Sequence, residues 1–333
     1  MTLTTTRRTL LAGGTMLLAG RAAAQQATTF KLYTFGFDVD AAMIVSEVPT
    51  RTGGRYRIEP IFGFDEVEAA LGKERAAGGE RALLEGVRNG DLDLVVCTTI
   101  LLGDYIPEAR VFSVPFLFRD YAHARAVLDG PIGQDVLAQL ASRGLVGLAW
   151  SEDGLRHLAN GKRPIRTPED LKGLKLRTQQ NPIIAETFQT LGAEVVPMPF
   201  GKAVFDALAQ GDIDGLDVTV PATLNFESLR SLKYLSLTGH SYTPGVIVMS
   251  KAAHDRLSEG DRQAFIEAAQ LARQVTREET DRLEADGLAQ LLGVGVKINT
   301  DVDKAAFRAA LAPVYTKWRE QLGDLIERIQ AHA

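Results

Sequence analysis

Cysteine is almost missing from this chain. Cys97 is the only one among 333 residues, so no internal disulfide can form. It ends the apolar run DLDLVVC (91–97) and reads as a buried, inert thiol at the close of a strand. Histidine is scarce too: His123, His157, His240, His254 and His332 show no metal-ligand spacing. The motifs H-E-x-x-H, G-x-S-x-G and the P-loop do not occur, and Gly53-Gly54 and Gly78-Gly79 are too short to cradle phosphate. With no evident nucleophile and no paired acid and base, the sequence gives an enzyme little support. Neither a metal nor a cofactor is expected. Positive charge is not in excess, because 37 Lys+Arg stand against 42 Asp+Glu. The formal net charge of −5 argues against nucleic acid or an anionic membrane as partner. Low-complexity tracts and disordered linkers are also lacking.

What is present begins with an export signal. Arg7-Arg8 precedes the mildly apolar AGGTMLLAG, and Ala22-Ala23-Ala24 supplies an A-x-A cleavage site. The paired arginines point to the twin-arginine route, with a general secretory signal as the alternative. The apolar run is too short to remain as a membrane anchor. Residues 1–24 are therefore expected to be removed and the mature protein to reside in the periplasm. Losing Arg7, Arg8 and Arg21 takes the formal charge from −5 to −8.

The remaining chain alternates strand and helix patterns. FKLYTF (30–35) reads as a strand, Asp38 to Gly53-Gly54 as an amphipathic helix, and RYRIEPIF as a second strand. Residues 63–79 are expected to be loop with a helical piece. Glu80 to Asn89 reads as a helix stopped by Gly90, and 91–97 as a third strand. This β-α-β-α-β order means an α/β fold with a parallel sheet. ALLEGVRNGDLD (82–93) and VFDALAQGDIDG (204–215) share one design, an amphipathic helix, a glycine stop and G-D-[LI]-D entering a strand. One copy in each of two lobes would explain the repeat. A helical pattern from Glu259 to Leu292, capped by Ser258, would span roughly 50 Å and bridge both lobes. GVKIN (295–299) reads as a further strand and Val302 to Leu322 as a last long helix.

The central third carries the functional signal. In TPEDLKGLKLRTQ, Thr167 caps a short helix whose first residue is Pro168, and Gly173 stops it. LKLRTQ reads as a strand with Arg177 near its carboxyl end, where open α/β sheets bind ligands. A guanidinium there is a permanently charged fork matched to a carboxylate.

PEDLKGLKLR (168–177), LGAEVVPMPF (191–200) and ALAQGDIDG (207–215) resemble the solute-binding proteins of tripartite ATP-independent periplasmic (TRAP) transporters, in the dicarboxylate-binding family. The resemblance extends from about Phe30 to the C-terminus. It implies a two-lobe periplasmic binding protein (Venus-flytrap) fold with a long inter-lobe helix. The lobes would comprise residues 25–153 with about 244–283, and 154–243 with about 284–333. It implies an organic acid as ligand and the small and large TRAP permease subunits as partners.

By the same resemblance Arg177 holds the ligand carboxylate and Arg156 is a second cleft arginine. Phe200 packs on the ligand's carbon chain, His240 matches a cleft histidine, and Glu80 matches an acidic cleft position. Thr98 and Thr99 follow the third strand, where hydroxyls reach a cleft. The family's D-G-Q-E-N-P becomes Asp214-Gly215-Leu216-Asp217-Val218-Thr219 here, so Val218 replaces a ligand-binding asparagine, and Asp217 and Val218 are both candidate ligand-binding positions. Phe35 and Phe37 add aromatic surface. These departures point away from a plain C4-dicarboxylate. A binding protein of an ATP-driven importer, or a sensor-linked receptor, shares the two-lobe design and is the alternative.

Overall fold

The computed structural model describes residues 26–332 apart from Phe35 and Ser231, so the export signal and Phe35 lie outside the described residues. Its strands are β1 Thr28–Thr34, β2 Tyr56–Phe62, β3 Leu94–Thr98, β4 Leu145–Asn160, β5 Lys175–Thr178, β6 Glu194–Pro197, β7 Gly215–Thr219, β8 Tyr234–Ser250 and β9 Lys297–Asn299. They form one sheet in the order β2-β1-β3-β8-β4-β7-β5-β6, with β9 on β8. β2, β1 and β3 are mutually parallel, as are β7, β5 and β6. These two parallel halves belong to two lobes.

The 16-residue β4 and 17-residue β8 join them as one antiparallel ribbon. β3 pairs with residues 245–249 of β8, whereas β7 pairs with residues 156–160 of β4. The ribbon's middle thus belongs to neither half. Its register shifts there, between Glu152 and Gly154 and again between Arg156 and Leu158. Irregularities of this kind bend a strand and re-aim its side chains.

The repeat seen in sequence is a repeat in space. Helices Glu80–Asn89 and Lys202–Gln210 both end on a left-handed glycine, Gly90 at φ 81° and Gly211 at φ 78°. The next residues close matching turns, Asp91 N onto Gly86 O and Asp212 N onto Ala207 O, both at 2.9 Å. The last acid of each motif then caps a neighbouring strand. Asp93 accepts from Lys31 N at 3.0 Å and Asp214 from Lys175 N at 2.9 Å.

The helix from Glu259 to Gly293 has 35 residues, and Ser258 caps it by accepting from Asp261 N. Phe265, Ala268 and Ala272 pack with Phe30, Ile44 and Met249, while Leu291 packs with Val218 and Val220. One helix therefore enters a core beside β1 and another beside β7. Two expectations need correction. Residues 63–79 are mostly helical, with helices Gly63–Leu71 and Lys73–Ala76 broken at Gly72, φ 82°. The last helix is not continuous: Lys304–Ala310 and Ala312–Leu322 are separate, and Leu325–Gln330 follows. Pro313 lacks the N–H that a continuous helix would need and sits at the start of the second piece, where that loss costs nothing.

Candidate ligand site

A cavity of about 190 Å³ opens beside the ribbon's middle. That is far above the roughly 10–15 Å³ one water needs. Its wall comes from the segment 36–40 after β1, Glu80 and Thr98, the ends of β5 and β7, the bend of β4, Phe200, the segment 221–226, and the long helix at Thr276, Glu279 and Thr280.

Arg177 stands between Val196 of β6 and Leu216 of β7 in register and is 1% exposed. Its Nε donates to Met198 O at 3.0 Å, while Nη2 has no hydrogen-bond partner. Burial pulls its pKa down to about 10, with Asp217 acting in the opposite direction. The group is still charged at neutral pH, and a buried cation with a spare donor favours an anion beside it. The Cζ atom lies 5.6 Å from the centre of the Phe200 ring. Phe200 in turn meets Phe205 and Phe226 edge to face, at 5.6 and 5.1 Å.

Arg156 is different. Nε donates to Asp217 Oδ2 at 2.6 Å, Nη2 to Asp217 O at 2.7 Å, and Nη1 to Asp153 Oδ2 at 2.9 Å. With its amide oriented to satisfy both neighbours, Gln179 accepts from Nη2 at 2.6 Å and donates to Asp217 Oδ1 at 3.1 Å. Burial opposes ionisation of Asp217, but Arg156 and His240 together outweigh it and hold the carboxyl below its usual range. Burial pushes Asp153 up to about 6 against the pull of Arg156.

Glu80 opens helix Glu80–Asn89 with both oxygens engaged, Oε1 by Thr98 N at 2.9 Å and Oε2 by Thr98 Oγ1 at 2.6 Å. Arg156, Arg177, Phe200, Glu80, Thr98, Asp217, Val218 and Phe37 all line the cavity. Thr99 is buried away from it. His240 sits behind Asp217, its Nε2 3.8 Å from Oδ2 and beyond hydrogen-bond reach. Its Nδ1 meets Thr238 Oγ1 at 2.7 Å, and burial lowers the pKa of the ring against the pull of Asp217.

Sequence reading missed Asp153, Gln179, Asp38, Asp40 and the long helix's contribution. Gln179 was within reach, since it lies two residues past Arg177 and strand alternation puts it on the same face. Asp153 carries no signal in sequence, because its role depends on the bend of β4.

A sheet in two halves, a bent ribbon between them and a buried cation in the intervening cavity define a two-lobe solute-binding protein. Residues 43–321 match the family described as "Bacterial extracellular solute-binding protein, family 7", DctP. The chain belongs to this family, the solute-binding proteins of TRAP transporters. A solute-binding protein of Verminephrobacter eiseniae is 41% identical over 86% of this chain and 82% of its own. The 2,3-diketo-L-gulonate-binding periplasmic protein YiaO of Escherichia coli is 35% identical over 79% of this chain and 81% of its own. A TRAP periplasmic solute-binding protein of Polaromonas, solved with D-erythronate bound, is 39% identical with a TM-score of 0.84. That match covers 92% of this chain and 99% of the other.

Proposed function

We propose that this chain is the periplasmic capture subunit of a TRAP transporter and binds an organic acid by its carboxylate on Arg177. The observation that carries the reading is the state of that guanidinium: buried, charged, and with Nη2 unpartnered on the cavity wall. A carboxylate placed there gains charge-assisted hydrogen bonds in a site screened from water. Arg156 is the bracket that fixes Asp217 and Asp153, and Phe200 offers an apolar face to the ligand's carbon chain.

The lobes are residues 25–153 with about 244–283, and 154–243 with about 284–333. Closing them over the acid excludes water and presents a shape that the small and large permease subunits recognise. Micromolar capture needs only about −8 kcal/mol, within reach of one bidentate pair, a few hydrogen bonds and apolar contact. The residues around the cavity serve binding rather than turnover. D-erythronate, bound in the Polaromonas structure, and 2,3-diketo-L-gulonate, for which the Escherichia coli relative is named, are both carboxylic acids and support the reading.

The test is to purify the periplasmic protein, denature it, and weigh the small molecules released. An organic acid that rebinds one-to-one in calorimetry is the expected result. Finding no acid, together with no binding across a panel of organic acids, overturns the reading.

A further inference from the structure

The cavity's charge is the wrong sign for a doubly charged ligand. Two guanidiniums line it, Arg156 and Arg177, against seven carboxyl groups. Some of these are discounted. Glu152 is neutralised from behind by Arg125, whose Nη2 lies 2.6 Å from it. Asp40 is buried with an unpartnered Oδ1, and that burial raises its pKa to about 7. Around the arginines themselves stand Glu80, Asp153 and Asp217, three carboxylates to two cations. Asp38 and Glu279 line other parts of the wall.

The donors are distributed just as unevenly. Arg177 has one to spare. Arg156 spends four of its five N–H donors on Asp217, Gln179 and Asp153. Asp153 holds the one terminal nitrogen, Nη1, that Asp217 and Gln179 leave over, and Thr219 Oγ1 donates to its other oxygen at 3.3 Å. The charge of Arg156 is already paired with Asp217 and Asp153, so a second ligand carboxylate meets no unpaired cation among the described cavity residues once Arg177 is taken. It meets carboxylates. A ligand hydroxyl is suited to the same wall, because ionised carboxylates are acceptors only and need donors.

We propose that Asp153 is a specificity-determining residue: by occupying Nη1 of Arg156, and together with Glu80, it makes the site select singly charged hydroxylated acids and reject dicarboxylates. This rests on the reading that Arg177 takes the first carboxylate. Asp153 accepts a hydrogen bond from a ligand hydroxyl where a more open Arg156 would donate to a second carboxylate. Like charges forced together cost enough to separate the two classes by about 10²-fold in affinity.

The experiment compares matched pairs by calorimetry: D-erythronate with meso-tartrate, and D-gluconate with D-glucarate. Each pair keeps its carbon count and trades one hydroxymethyl end for a carboxylate. Wild type is expected to bind at least one monocarboxylate about 10²-fold tighter than its dicarboxylate partner. Asp153→Asn should shrink that ratio about tenfold or more, weakening the monocarboxylate while strengthening the dicarboxylate. Glu80→Gln should shrink it in the same direction, and a melting curve for each variant confirms the fold. Equal binding of the two classes by wild type overturns the proposal, as does a ratio unchanged in Asp153→Asn. If Arg177→Ala abolishes binding while the ratio is already near one, the charge selection alone falls. If no member of either pair binds wild type, the selection proposal falls, and binding elsewhere in a wider acid panel then decides the carboxylate reading separately.

Discussion

Arg156 and Arg177 are both buried arginines of one cavity, and the difference between them lies in who already holds their donors. Removing the guanidinium that meets a buried carboxylate leaves that charge unpaired, at a cost of roughly 3–5 kcal/mol. Arg177→Ala should therefore weaken acid binding by about 10² to 10³-fold. Arg177→Lys keeps the charge but loses the planar fork, and should also bind worse than wild type. Ligand-free Arg177→Ala should melt no lower than wild type, since a buried cation with an unmet donor is removed. Calorimetry beside a melting curve checks both halves, and near-normal affinity in Arg177→Ala would sink the anchor. Asp40 makes a second residue-scale prediction. It is 0% exposed, accepts from Ser151 Oγ at 2.8 Å, and burial raises its pKa to about 7. Between its unfolded pKa near 3.9 and about 7 the native state holds more protons than the unfolded chain, so stability falls as pH rises through that window. Asp40→Asn keeps an acceptor for Ser151 and removes the titration. Urea midpoints at pH 5 and 8 should show wild type losing stability relative to the variant, by a few kcal/mol. Arg177 was legible because its motif and strand position sit together in sequence. Asp217 was legible as a cleft residue but its pairing with Arg156 was not, since the two lie 61 residues apart and only the fold brings them together.

Helices with their own punctuation were the readable elements. Glu80–Asn89 starts and ends where its acid and glycine say, and the long helix starts where Ser258 caps it. The Thr167–Asp170 capping box was written into TPED. The stretch 63–79 misled because its glycines suggested loop, whereas Gly72 only separates two short helices. The C-terminal pattern misled because its apolar period runs on across Pro313. Packing against the long helix was hidden altogether. At Gly287 an added Cβ would lie 2.6 Å from Leu224 Cδ1 and 3.1 Å from Val220 Cγ1, on the short helix Val220–Asn225. That helix lends Pro221, Ala222 and Asn225 to the cavity. Gly287→Ala should be mild, because Leu224 can rotate. Gly287→Leu should lift the short helix off, at an overpacking cost of about 1–3 kcal/mol, and weaken ligand binding about tenfold without contact with the ligand. Calorimetry and circular dichroism test this, and wild-type affinity in Gly287→Leu would show that the short helix does not shape the cavity.

The whole molecule turns on the ribbon. At its middle, Glu152 receives Arg125 and the Tyr242 hydroxyl at 2.7 Å, and Arg125 reaches on to Asp281 of the long helix at 2.8 Å. β4, β8, the helix Tyr121–Asp129 and the long helix are thereby tied at one point beside the cavity. Motion about such a point is a hinge, with the lobes moving as bodies. Small-angle scattering should give a smaller radius of gyration with saturating acid than without. An unchanged radius under conditions where calorimetry shows full occupancy would count against closure. The two-lobe design was foreseen from the repeated helix-and-glycine turn and the resemblance around Arg177. The single sheet running through both halves was not, because nothing local marks β4 and β8 as strands long enough to serve two lobes.

That shared architecture also sets a clock on synthesis. Phe30 of β1 and Ala272 of the long helix share one core, 242 positions apart in the chain. At about 5–20 residues per second a ribosome needs roughly 12–50 s to travel between them. Throughout that interval the side of this core that the long helix covers stays open. The first segment to be made is among the last to be completed, and any export route that demands a finished fold must wait for it.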